Sequence, residues 1–185
     1  MQAAPQADRP PSSPLRRRRV AAARKVAEGE VRIPELLRMV SFEKLEESRA
    51  AVAKLAAQPD WARRVGAFFG EGGDLERGHV ALLLSLHPEG VPEDLQERCW
   101  AVVREQTAWY DQSAKSMPNE RKGWLLRETG LIAAGMASIP GPVRERHRAE
   151  FTGLRDRIET CKKTNDPAAG SLADLRKADW VTGGR

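Results

Sequence analysis

Histidines and cysteines are the residues of this sequence best suited to bind a metal or to act as a base or nucleophile, and both are few. The three histidines are His79, His87 and His147. His79 and His87 lie eight positions apart, and neither has a second ligand-type residue four positions away, so they form no metal-binding motif. No residue belongs to a short sequence motif that is typical of a catalytic nucleophile. The sequence therefore predicts no catalytic residue, no metal site and no cofactor.

His147 is the histidine with the most unusual setting, because it lies in the middle of an apolar stripe. The stripe follows helical spacing along a helix predicted over residues 142–163 and consists of Val143, His147, Phe151, Leu154, Ile158 and Cys161. A histidine in this setting is typical of a hydrogen-bonded core or of a subunit interface, which is the interpretation we favour. The alternative is a catalytic base in a small helical enzyme.

The glycine-rich loop over residues 70–74 precedes a predicted helix, a position where phosphate groups often bind. The loop contains Glu71 and Asp74 and lacks the Lys-Ser/Thr pair of a P-loop. Because these acids would repel phosphate, we predict an ordinary loop. The two cysteines, Cys99 and Cys161, each lie on an apolar helix face, so we expect reduced thiols in a cytoplasmic protein.

Positive charge is concentrated at the start of the chain. Residues 1–33 contain eight bases and three acids, and the totals of 31 and 26 leave 23 of each sign for residues 34–185. The whole net charge of +5 therefore belongs to this basic arm. Its densest part consists of Arg16, Arg17, Arg18, Arg19, Arg24 and Lys25. Such a density repels itself unless a polyanion neutralises it, and arginine can bind phosphate in a bidentate geometry.

The composition of residues 1–14, rich in Pro, Ala, Ser and Gln, predicts disorder. Residues 15–28 contain good helix formers and could become helical against a polyanion. Contact with RNA or DNA phosphates, with RNA favoured, is the predicted role of the arm. The alternatives are a mitochondrial targeting segment, which would also be rich in arginine and poor in acids, and a solubilising or partner-docking tail.

A second basic feature lies on the helix predicted over residues 142–163. At 100° per residue, four bases fall within about 40° of one another on one flank, namely Arg144, Arg148, Arg155 and Lys162. These four residues are candidates for binding successive phosphates. Glu145 and Glu159 offer intrahelical partners, so a solvated face with salt bridges is the alternative.

Trp100 is the candidate protein-interface residue. On the long helix predicted from Pro92 to about Lys115, Trp109 falls within the apolar stripe, whereas Trp100 lies about 140° from Leu95 and outside it. Trp100 must therefore meet either a second packing surface inside the same domain or another subunit.

The pattern of helical periodicity and breakers predicts an all-α protein, an irregular bundle of about seven helices with a disordered N-terminal arm. The predicted organisation is an arm over residues 1–33, a single helical domain over residues 34–180 and a frayed tail over residues 181–185. The apolar segment LERGHVALLLSLH is predicted as a helix, since no second strand candidate exists to pair with it. Gly123, Gly130 and Gly135 lie inside another predicted helix, which indicates close helix packing there. No apolar run approaches the length of a membrane span.

Together these features predict a non-enzymatic accessory or structural subunit of a larger nucleoprotein assembly. Its partners would be nucleic acid and other protein subunits, and no membrane is expected. A protein-binding adaptor with a targeting or solubilising arm is the first alternative, and a small helical enzyme with a site near His147 is the second. We expect a cytoplasmic location, with a mitochondrial one as the alternative.

Overall fold

The structure, a computed structural model, describes residues 32–40, 45–70 and 74–161. All regular elements of this part of the chain are helical, which confirms the predicted all-α class. The α-helices are α1 (Ile33–Met39), α2 (Leu45–Ala56), α3 (Trp61–Gly66), α4 (Asp74–Leu86), α5 (Glu93–Ser113), α6 (Asn119–Ala137), α7 (Pro142–Arg146) and α8 (Arg148–Cys161), and a 3-10 helix, Ala67–Gly70, follows α3. Within the described ranges, no helix is both long enough and apolar enough to cross a lipid bilayer.

Helix α4 lies at the centre of the bundle. Its residues from Val80 to Leu84 are consecutive and all at most 1% exposed, which is the pattern of a helix covered on every side. It contacts α1, α2, α3, α5 and α6. The prediction that this apolar segment forms a helix is therefore confirmed, and its continuous apolarity reflects central burial.

The closest approach between helices is that of α4 and α6. A β-carbon placed on Gly135 would lie 2.4 Å from the backbone oxygen of Ser85 and 2.7 Å from its α-carbon. No side chain larger than hydrogen fits between backbones at this distance. The predicted role of Gly135 in close packing is confirmed, and Gly123 and Gly130 are buried on the same helix.

Helix α5 spans about 32 Å at 1.5 Å per residue. It begins after Pro92, with Glu93 and Asp94 in the first turn, where the helix dipole favours acids. The helix contacts α4 and α6, and it also contacts α7. Because neighbours cover more than one side of its N-terminal half, the buried residues exceed a single stripe: Leu95, Gln96, Cys99, Trp100, Val102 and Val103.

The segment after Pro142 differs from the prediction of one continuous helix. It forms two helices, α7 and α8, which meet at His147. His147 has φ −99° and ψ 11°, outside the helical range, while its N–H still donates to the carbonyl oxygens of Val143 and Arg144 at 3.3 and 3.2 Å. The break falls at His147, the one histidine of the predicted stripe.

Candidate functional site

Trp100 lies in the core, and the prediction that it contacts another protein is wrong. Its side chain is 0% exposed. The face of α5 that carries Trp100 packs toward α7 and α8, because its indole stacks on the imidazole of His147 with ring centroids 4.9 Å apart and ring planes 13° apart. The second packing surface inside the same domain, which was the other predicted alternative, accounts for its position.

The imidazole of His147 is the centre of a buried polar cluster. Its side chain is only 7% exposed. Nε2 lies 2.7 Å from a carboxylate oxygen of Glu97 on α5, and Nδ1 is hydrogen-bonded to the carboxylate of Glu150 on α8. With Trp100 against the ring face, both nitrogens and one face of the imidazole are occupied by this chain.

Two arginines complete this cluster, which we call the His147 junction (Glu97, Arg104, Arg146, His147 and Glu150). Arg146 donates to Glu97 from Nε at 3.1 Å and from Nη2 at 2.5 Å, and Arg104 Nη1 donates to Glu150 at 3.4 Å. Burial alone would raise the pKa of Glu97. The hydrogen bonds from Arg146 and His147 outweigh burial, so the pKa lies below its ordinary value of 4.5.

The geometry of the His147 junction favours a structural role over catalysis. A general base needs a ring nitrogen within reach of a substrate proton. Both nitrogens of His147 already face carboxylates, and the ring is almost completely buried. This is the arrangement expected of a satisfied core histidine. The junction ties α7 and α8 to α5 through a chain of hydrogen bonds between basic and acidic side chains.

The other two histidines lie on or just after α4. His79 is partly buried within that helix. His87 follows the helix, with its ring edge-on to Trp61 at 5.7 Å and Nδ1 3.1 Å from Glu89. Among the described residues, no three His, Cys, Asp or Glu side chains are grouped so that they could hold a metal ion.

A second polar cluster joins α4, α5 and α6. Gln106 Nε2 donates to Glu128 Oε1 at 2.9 Å, and the Thr129 hydroxyl donates to Gln106 Oε1 at 2.7 Å. A β-carbon on Gly78 would lie 2.8 Å from Glu128 Oε1, so glycine makes room for the carboxylate. Burial raises the pKa of Glu128. The hydrogen bonds of this cluster join α5 to α6, and α4 contributes the space at Gly78.

The surface formed by the end of α5 and the start of α6 alternates tryptophan and arginine. The guanidinium of Arg121 lies 5.2 Å from the ring centroid of Trp109, and that of Arg127 lies 5.8 Å from the ring centroid of Trp124. Arg121, Trp124 and Arg127 follow one another at three-residue steps on α6, so they are neighbours on its surface. We call these four residues the aromatic–arginine ribbon.

The exposure of Trp109 contradicts the position predicted for it. It was predicted to lie within the apolar stripe of α5, yet it is 40% exposed and is the one exposed large hydrophobic side chain of the described residues. After Val103 the residues of α5 are partly buried or exposed, so the C-terminal half of the helix is less covered than its first half. The stripe identified the correct side of the helix, but it gave no information on where the neighbouring helices end.

The predicted ladder of bases is divided by the break at His147. Arg144 lies on α7, whereas Arg148 and Arg155 lie on α8, so the predicted flank is shared between two helices. Arg148 pairs with Glu145 at 2.8 Å, as the salt-bridge alternative expected, and Arg155 pairs with its neighbour Asp156 at 3.2 Å. Other predicted nucleic-acid contacts lie outside the described residues: Arg16, Arg17, Arg18, Arg19, Arg24, Lys25 and Lys162.

Sequence reasoning missed the ribbon and most of the His147 junction. Within α6 the three-residue spacing of Arg121, Trp124 and Arg127 was visible as a signal. The spacing of Glu150, three positions after His147, was equally visible. No local signal connects either set to α5, because those contacts join residues far apart in the chain.

No protein-family model matches the chain, and neither the curated proteins nor the solved structures contain a match to it.

Proposed function

We propose that the chain is a non-enzymatic accessory or structural subunit of a larger nucleoprotein assembly, in which the basic arm binds phosphates of RNA or DNA without reading base sequence. The separation of charge carries this proposal. Residues 1–33 hold a net charge of +5, and residues 34–185 are neutral. Phosphate neutralisation by Lys and Arg supplies most of the affinity of nonspecific nucleic-acid binding.

The body of the protein supports this division of roles, because many of its arginines are neutralised by neighbouring carboxylates. A carboxylate within 4.0 Å removes most of the long-range attraction that an arginine exerts on a polyanion. Such pairs join different helices or neighbouring turns: Arg77–Glu105, Arg104–Glu150, Arg146–Glu97, Arg148–Glu145 and Arg157–Asp111. Long-range attraction to phosphates is therefore expected to come from the arm.

The arm is suited to backbone contact and poorly suited to base recognition. Residues 1–33 contain no aromatic side chain that could stack on a base. Contacts from arginine to phosphate fix the position of a protein on a nucleic acid but carry no sequence information by themselves. The enzyme alternative lacks comparable support, since both ring nitrogens of His147 face carboxylates.

Salt-dependent binding of two full-length variants tests the proposal. The arm variant changes Arg16, Arg17, Arg18 and Arg19 to Gln. The control variant changes four exposed arginines of the body to Gln, namely Arg38, Arg49, Arg63 and Arg64. Both variants lower the net charge by the same amount, so any difference between them reports the position of the charge.

Fluorescence anisotropy with a single-stranded RNA and a duplex DNA of arbitrary sequence gives the affinity between about 50 and 200 mM salt. We expect the log–log salt slope for RNA to fall by about 3 in the arm variant, since each phosphate contact contributes about 0.7, and by less than about 1 in the control. An equal fall of the salt slope in both variants would show that binding depends on net charge alone and not on the position of the charge. If the unmodified protein has no affinity at low salt, the proposal fails and the adaptor alternative takes its place.

A further inference from the structure

The aromatic–arginine ribbon combines exposed aromatic area with positive charge on the folded body. Trp109 keeps 40% of its surface in water, although an indole is among the side chains that gain most from burial. Arg121 beside it is exposed, and Trp124 and Arg127 are partly exposed. An exposed aromatic side chain flanked by arginines is the composition enriched at binding surfaces.

The charge of this surface is not neutralised within the described protein. Four bases lie between positions 115 and 127, and Glu120 is the single acid among them: the bases are Lys115, Arg121, Lys122 and Arg127. In the described part of the chain, no carboxylate forms an ion pair with any of the four; Arg121 and Arg127 form the two cation–π pairs, and Lys122 donates a hydrogen bond to Asn119. Asp111 on the neighbouring helix is already paired with Arg157 at 2.7 Å. The surface therefore complements an anion.

We propose that the aromatic–arginine ribbon binds a single-stranded segment of nucleic acid, with an unstacked base against Trp109 and the flanking phosphates at Arg121 and Arg127. This inference rests on the proposed function and adds to it the strandedness of the ligand and a second contact region. A single strand presents both a base face for stacking and a phosphate for each nucleotide, whereas a duplex buries its base faces.

The contacts within the ribbon fit this ligand. The cation–π contact holds the guanidinium of Arg121 over one face of the Trp109 indole, so a base would stack on the part of the ring that stays exposed, and a phosphate paired with Arg121 would belong to a nucleotide within reach of that ring. Arg121 and Arg127 lie six residues apart on α6, about 9 Å along the helix axis, so they can meet different phosphates of one strand. Stacking on tryptophan tolerates any base, which agrees with an arm that reads no sequence.

Substitutions in the full-length protein separate stacking from charge. Trp109→Ala removes the ring, and Trp109→Phe keeps an aromatic face. Arg121→Gln removes one charge, and Arg64→Gln on α3 is its matched control, since Arg64 is also exposed and is bonded to Gln58 rather than to a carboxylate. The probes are a short oligouridine and an RNA duplex with the same number of phosphates per strand, at one fixed salt concentration.

We expect Trp109→Ala to weaken oligouridine binding by about 10-fold, within the range of about 5- to 150-fold that loss of one stacked base gives. Trp109→Phe should retain most of the affinity, and duplex binding should change by less than about 2-fold in both. Arg121→Gln should weaken oligouridine binding more than Arg64→Gln does. Unchanged thermal unfolding midpoints would show that the variants remain folded.

The outcomes distinguish this proposal from that of the arm. If the arm variant loses affinity while Trp109→Ala binds oligouridine like the unmodified protein, the ribbon proposal is overturned and the arm proposal stands. The reverse pattern overturns the arm proposal and leaves the ribbon. Equal losses of oligouridine and duplex binding in Trp109→Ala also overturn the ribbon proposal, because stacking on an unpaired base affects only single strands.

Discussion

Replacing Gly135 by alanine tests the closest helix contact of the fold. The added β-carbon would lie 2.4 Å from the carbonyl oxygen of Ser85, and ordinary van der Waals contact begins at 3.4 Å, so α4 and α6 must separate locally by about 1 Å. Backbone atoms cannot rotate away as a side chain can. We therefore take the upper end of the overpacking cost, about 3 kcal/mol, and subtract about 1 kcal/mol for the higher helix propensity of alanine.

The expected result is a loss of about 2 kcal/mol in the free energy of unfolding, or a fall of about 4–8 °C in Tm for a chain of this size. Urea unfolding followed by far-UV circular dichroism measures the free energy by linear extrapolation. Gly153→Ala on α8 is the matched control. Its β-carbon would lie 3.1 Å from Arg157 Nη1, which must shift by only a few tenths of an ångström while it stays bonded to Asp111, so the free energy of unfolding should change by less than about 1 kcal/mol.

A Gly135→Ala variant as stable as the unmodified protein would refute the close contact between α4 and α6. A loss of stability in both variants would show instead that alanine is unfavourable at helical glycines of this protein for reasons other than the backbone contact. Only a loss confined to Gly135→Ala supports the geometric explanation.

Three further predictions concern titratable groups. His147→Ala should lower the free energy of unfolding by about 2–4 kcal/mol, because it leaves the carboxylates of Glu97 and Glu150 without the imidazole and opens a cavity; a loss under about 1 kcal/mol in urea unfolding would contradict the junction. Burial raises the pKa of Glu128, so its ionised form destabilises the fold, and stability is lost as the pH rises from the ordinary pKa of 4.5 through the raised pKa of the folded protein. Glu128→Gln should therefore be stabilising near neutral pH, and this gain should disappear below pH 4.5. Urea unfolding across a pH series measures both. Burial also raises the pKa of the Cys99 thiol, so iodoacetamide should alkylate Cys99 only after denaturation, and rapid labelling of the native protein in peptide mass spectra would show that the site opens.

The sequence by itself determined the all-α class and the approximate positions of most described helices. These follow from local properties: apolar periodicity, prolines that start or end helices, and the absence of paired strand candidates. The central segment around Val80 was correctly predicted as a helix on this basis. The separation of charge between residues 1–33 and the rest of the chain is likewise a property of sequence alone, since it requires no knowledge of contacts.

Tertiary structure decided which side chains are buried and which are exposed. Trp100, the candidate interface residue, lies in the core, whereas Trp109 was predicted to lie within the apolar stripe and is exposed. A helical stripe indicates one buried side, but a second buried side depends on neighbours from distant parts of the chain. In the same way, only the packing of α7 and α8 against α5 placed Glu97 at His147, fifty positions away. Contacts between residues so far apart leave no periodic trace in a sequence, because each depends on where several helices meet and not on the order of residues within any one of them.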